Sequence, residues 1–141
     1  MIRLYLEKQE RGNKAMISGV GIDSVQVDRL KRAIDRWGRE FLERLFTENE
    51  LTYCMTHANP YPSLAARFAA KEALIKALKV KGAWKWRDME VGRAESGEPS
   101  ILLKGEAAAY AKLRGKLKFH ISLTHDHGRA TAVVIVLGEG G

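Results

Sequence analysis

Cysteine is almost absent from this chain: Cys54 is the only one in 141 residues. No disulfide can therefore form within the chain, and no thiolate cluster can hold a metal. Such usage fits a reducing cytoplasm. Prolines are few, and the three fall in two breaks, Ala58–Pro62 and Ser96–Pro99. Long apolar runs are missing as well, and nothing approaches the roughly 18–20 residues of a membrane span. The first residues carry Glu7 and Glu10 and no continuous apolar stretch, which argues against a secretory signal. Acid is in short supply: 17 Asp and Glu face 24 Lys and Arg, a net charge of +7. A surplus of that size implies an anionic partner, whether nucleic acid, a phosphorylated small molecule, an acidic protein or an anionic membrane.

What remains is ordinary for a globular chain, with 45% hydrophobic and 29% charged residues, enough for one domain with a real core. Residues 1–15 read as an extension, with a short alternating stretch at Ile2, Leu4 and Leu6. The domain is expected over 16–141. Its best helix is 63–79, built from Ala, Leu, Lys, Arg and Glu without Gly or Pro, with Ser63 expected as N-cap. Leu64, Phe68, Ile75 and Leu78 form its core stripe. Arg67, Lys71, Lys76 and Lys79 surround one carboxylate, Glu72. The plain reading of that pattern is an i,i+4 pair between Glu72 and Lys76.

Before this helix, 16–24 reads as a strand with close backbone approach at Gly19 and Gly21 and with Asp23 at its end, where Asp23 can also serve as an N-cap. Residues 25–44 are amphipathic, with Val27, Leu30, Ile34, Trp37 and Phe41 inward; Gly38 weakens or ends the helix. Arg29, Arg32, Arg36 and Arg39 make a second stripe, suited to gripping carboxylates or phosphates. Thr47-Glu-Asn-Glu50 has the form of a capping box opening a short helix to about His57. After the central helix, a strand at 86–91 and another at 100–103 flank the Ser96–Pro99 turn. A small helix covers 105–114. Strands at 117–123 and 130–137 flank a turn at Thr124–Gly128. Helices set between one strand and a group of antiparallel strands predict an α+β fold.

Asp23 and Glu72 are hard oxygen ligands of the kind magnesium takes, one or two at a time. Arg67, Lys71, Lys76, Lys79 and Lys81 could clamp a pyrophosphate, since phosphoryl chemistry rests on positioning and charge neutralisation. His125 and His127 lack the spacing of a structural zinc site. No Gly-x-Ser-x-Gly elbow marks a serine hydrolase.

Four motifs occur in order: Gly19-Val-Gly-Ile-Asp23, Phe46-Thr-Glu-Asn-Glu50, Arg67-Phe-Ala-Ala-Lys-Glu-Ala73 with Lys76-Ala77, and Ser122-Leu-Thr-His125. Together they resemble the holo-acyl-carrier-protein synthases, the short bacterial 4′-phosphopantetheinyl transferases, over about residues 17–137. The resemblance implies an antiparallel sheet packed with a long central helix. It implies Mg2+-dependent transfer of 4′-phosphopantetheine from coenzyme A to a serine of apo acyl carrier protein, in support of fatty acid biosynthesis in the cytoplasm. It makes Asp23 and Glu72 the metal ligands and, with Lys76, the catalytic set. Arg67, Lys71, Lys76, Ser122 and His125 become coenzyme A contacts, and Arg29, Arg32, Arg36 and Arg44 the carrier docking face. It further implies a homotrimer with sites between subunits. The chain departs from the pattern at Gln26, where an acid is common, and at Lys79, which stands near the place of a glycine. One rival is a nucleic-acid-binding module without catalysis, although no exposed aromatics interleave with the basic residues. Another is a transferase of the same family acting on polyketide or peptidyl carriers.

Overall fold

A computed structural model of the protein describes residues 15–139. Of the expected extension at 1–15, all but Ala15 lies outside them. The elements run β1 (Ala15–Gln26), α1 (Val27–Leu45), α2 (Glu48–Cys54), α3 (Tyr61–Leu78), a 3-10 turn (Trp86–Asp88), β2 (Met89–Arg93), β3 (Pro99–Leu103), α4 (Gly105–Leu113), β4 (Leu117–Asp126) and β5 (Arg129–Glu139). β1, β5 and β4 form one antiparallel sheet in that spatial order, and β2 and β3 form a separate hairpin. This is the expected α+β plan, with α3 at its centre.

The reason α3 can be central lies in its alanines. Ala65, Ala66, Ala69, Ala70, Ala73 and Ala77 are all buried, and small side chains let neighbouring backbones come close. One end of α3 packs with α1 and α2 through Leu30, Ile34, Leu45, Leu51 and Leu64. Its other half packs on β5 and β2 through Leu74, Leu78, Met89, Val134 and Val136. α3 begins two residues earlier than expected. Pro62 lies in its first turn, where a missing N–H costs nothing. Lys79 ends it in the left-handed conformation, φ 54°, a place usually taken by glycine.

β1 crosses α3 on two glycines. A Cβ on Gly19 would run into the Ala77 carbonyl, and one on Gly21 into the Ala73 carbonyl. Strand and helix therefore lie backbone to backbone, and each two-residue step along β1 matches about one turn of α3. Asp23, the next residue on that face, arrives beside the Glu72 turn.

Three other expectations are corrected. The weak point expected at Gly38 is present as a break (φ 73°, ψ −155°), which only glycine adopts easily, but Arg39 thereby leaves the register of Arg29, Arg32 and Arg36, and Trp37, expected inward, is exposed. The segment at 86–91 opens as a 3-10 turn, and its strand begins only at Met89. β4 runs on to Asp126, and the turn shrinks to His127-Gly128, both with positive φ, as a tight hairpin requires. The capping box is present: the Thr47 hydroxyl accepts from the Glu50 N–H, and Glu50 accepts from the Thr47 N–H at 2.8 Å.

Candidate active site

Asp23 and Glu72 meet where β1 crosses α3. Burial first, and then the charge of Asp23, raises the Glu72 carboxyl above the usual glutamate range, against the pull of Lys76. The Lys76 ammonium donates to Asp23 at 2.9 Å and to the Ile22 carbonyl at 3.1 Å. The i,i+4 reading is thus corrected: Lys76 pairs across to β1 and not with Glu72. Two carboxylates crowded together beside one lysine carry a like-charge strain that a cation would relieve. Among the described residues no three His, Cys, Asp or Glu side chains gather into a metal-holding group. Asp23 and Glu72 could supply two carboxylates to a cation such as magnesium, which leaves positions for water and phosphate oxygens.

A second centre lies at the start of α3. Arg67 is almost fully buried, and its Nη1 donates to Ser63 Oγ at 2.7 Å. Its Nε is buried without a partner. Its guanidinium stacks over Tyr53, 4.5 Å from the ring centroid, while Arg93 sits 5.5 Å from the same ring and donates to the Tyr53 hydroxyl at 3.2 Å. Neither guanidinium has a carboxylate partner among the described residues. The pocket around them, about 330 Å3, is also lined by His57, Asn59, Leu123 and His125. Two unneutralised guanidiniums and two imidazoles in one concavity describe an anion pocket. A larger cavity of about 510 Å3 between α1 and α2 mixes Arg39 and Arg87 with Glu43 and Glu48, and contains none of Asp23, Glu72 or Lys76.

The remaining expected contacts divide. Lys71 is fully buried: its ammonium donates to Glu50 (2.6 Å), to the Leu45 carbonyl (2.7 Å) and to the Trp86 carbonyl (3.1 Å). Its three protons are spent inside the protein, so it does not reach a ligand. Ser122 is exposed and, by strand alternation, faces away from the side on which Leu123 and His125 line the Arg67 pocket. Arg29, Arg32, Arg36 and Arg44 are all exposed. Arg29 rims a mostly apolar hollow lined by Ser24, Leu30, Phe41 and Phe68. Arg129 completes that rim and donates to Ser24 at 3.1 Å, next to Asp23. Tyr53, Arg93 and Arg129 carried no sequence mark, because each gains its place only through tertiary contacts.

Residues 19–134 match the model of the 4′-phosphopantetheinyl transferase superfamily. The chain belongs to this superfamily. Within it, the chain is 43% identical over 123 residues to a holo-[acyl-carrier-protein] synthase of Koribacter versatilis, covering 86% of this chain and 98% of that one. The fold matches the crystal structure of the Neisseria meningitidis holo-[acyl-carrier-protein] synthase with TM-score 0.78 at 29% identity, over 86% and 98% of the two chains. It also matches the Helicobacter pylori synthase in complex with coenzyme A, with TM-score 0.71 at 32% identity, over 83% and 98%. The phosphopantetheinyl transferase fold thus has its central helix, sheet and hairpin in this chain. No helix among the described residues is long and apolar enough to cross a membrane.

Proposed function

We propose that this phosphopantetheinyl transferase moves the 4′-phosphopantetheine arm of coenzyme A onto a serine of an apo acyl carrier protein. The meeting of Asp23, Glu72 and Lys76 at the β1–α3 crossing carries this reading, with the anion pocket beside it. Asp23 and Glu72 would hold Mg2+, which when bound neutralises charge on the pyrophosphate. Lys76 turns its ammonium from Asp23 to the phosphate next to the bond that breaks. The ionised Glu72 carboxylate takes the proton of the carrier serine. The serine oxygen forms a bond to the β-phosphorus, and the bond from that phosphorus to the bridging oxygen breaks. Adenosine 3′,5′-bisphosphate leaves with the bond electrons. Arg67 and His125, joined by Arg93, receive a phosphate of coenzyme A away from the reacting bond.

The exposed arginines of α1 dock an acidic carrier protein by charge complementarity. The reading places the enzyme in the cytoplasm, in fatty acid biosynthesis. It also includes a homotrimer. On the sheet face turned from α3, Val20 and Ile22 are each 58% exposed, with Val133 and Ile135 paired beside them. An apolar sheet face of this kind wants a cover. A second copy laid on it would bring Ser122, which shares that face, into a neighbour's site.

Incubation with coenzyme A, apo carrier and magnesium tests the chemistry. Coenzyme A should disappear in step with adenosine 3′,5′-bisphosphate appearing by chromatography, and chelation should stop both. Turnover undiminished by chelation contradicts the metal reading.

A further inference from the structure

Lys71 is adjacent to Glu72 in the chain, and nothing in the chemistry above uses it. Its surroundings are unusual. Lys71 and Glu50 are both fully buried and lie 2.6 Å apart. Glu50 also accepts from the Thr47 N–H and, at 2.9 Å, from the Val91 N–H of β2. A second carboxylate, Glu90, accepts from the Thr47 hydroxyl at 2.6 Å and from Asn49 at 3.2 Å, with Lys104 3.7 Å away. One ammonium on α3 is thus tied to the last carbonyl of α1, to the cap of α2, to the 3-10 turn and, through Glu50, to β2.

A buried ion pair is weak evidence for stability, since apolar residues of similar volume often serve as well. Its geometry is another matter. Consecutive residues on a helix point about 100° apart. Holding Lys71 toward α1 and the hairpin therefore helps to set the turn of α3 about its axis, and with it the direction in which Glu72 leaves the helix. On the other side β1 is held to α3 by the glycine contacts and by Lys76, which donates to Asp23 and to the Ile22 carbonyl. The Leu45 carbonyl that Lys71 holds is bonded one residue from Arg44 of the docking face.

We infer that Lys71 is a positioning residue: clamped by Glu50, Leu45 and Trp86, it aims Glu72 at Asp23 and ties the carrier-docking helix to the catalytic one. This rests on reading Asp23 and Glu72 as the metal carboxylates.

The test compares the parent with the double variant Lys71→Met/Glu50→Gln. The amide introduced by Glu50→Gln keeps one acceptor, for the capping box, at the loss of the bond from the Val91 N–H, and the two substitutions together leave no buried charge unpaired. Three measurements are made: the melting temperature, kcat and KM for coenzyme A, and magnesium binding by titration calorimetry with coenzyme A present. The double variant is expected to melt within about 5 °C of the parent. It is expected to keep KM for coenzyme A within about threefold while losing about 10–100-fold in kcat, the scale at which small misplacements act. Its magnesium affinity should fall in parallel. A stable double variant with parental kcat and parental magnesium binding overturns the inference. So does a variant whose KM, kcat and melting temperature all fail together, which is what a purely structural pair would give. A parent that binds no magnesium overturns the metal reading, and this inference with it.

Discussion

At the scale of single residues, the decisive group is Glu72. Its carboxyl is raised by burial and by Asp23, so it is protonated at a higher pH than an ordinary glutamate. The proposed reaction needs the ionised form. At limiting magnesium the acid limb of the kcat profile should therefore rise with pH at a higher pH than an ordinary glutamate would give. A bound cation favours the ionised carboxyl, so added magnesium should move that limb to lower pH. A limb that does not respond to magnesium would remove Glu72 from the metal site. Glu72→Gln should lower kcat by about 100-fold or more, the range general-base groups supply. Arg67 plays a different part. In the proposed reading its Nε, unpartnered among the described residues, and its stacking on Tyr53 serve binding, so Arg67→Met should raise KM for coenzyme A by about 10–100-fold, the worth of about 1.5–3 kcal/mol in charged hydrogen bonds, with kcat little changed. Equal loss in both constants would place Arg67 in the chemistry.

At the scale of elements, the β1–α3 crossing is the joint on which the site depends. Gly21→Ala would push a methyl into the Ala73 carbonyl and should cost about 1–3 kcal/mol, visible as a lower melting temperature. The other end of α3 offers the opposite change. Lys79 holds a left-handed conformation that costs a non-glycine residue about 1–2 kcal/mol. Glycine in its place relieves that strain and gives back about 0.4–1 kcal/mol in chain entropy. Lys79→Gly should therefore raise the melting temperature slightly; a fall would show that the Lys79 side chain holds the cap. These elements also show how far the sequence could be read. The capping box at Thr47, the glycine approach on β1, the hairpin and the central helix all follow from local spacing. The start of α3 differs from its expected place because Pro62 is tolerated inside a first turn as well as before one. The 3-10 turn at Trp86–Asp88 has no local mark that separates it from a strand. Lys71 and Lys76 look alike along the chain, yet one is buried against Glu50 and the other pairs with Asp23. Only the packing of α3 between α1, the hairpin and β1 tells them apart.

At the scale of the whole molecule, charge and the uncovered sheet face have separate uses. Arg29 and Arg129 rim the hollow beside Asp23, where in the proposed reaction an acidic carrier would bring its serine. The apolar face of β1 and β5 is read as the contact between copies. Ile22→Lys should then shift the protein from trimer to monomer in sedimentation and reduce turnover with it. A fully active monomer would show that each chain completes its own site. The same molecule read as a nucleic-acid module would need its cations along a continuous groove; instead two of them, Arg67 and Arg93, enclose a pocket of small-ligand size.

The most direct measurement is the intact mass of an apo acyl carrier protein after incubation with this chain, coenzyme A and magnesium. The carrier should gain the mass of one phosphopantetheine arm, and a carrier whose acceptor serine is replaced by alanine should gain nothing. An unchanged mass for the serine-bearing carrier, with folded protein and magnesium present, would contradict the assignment.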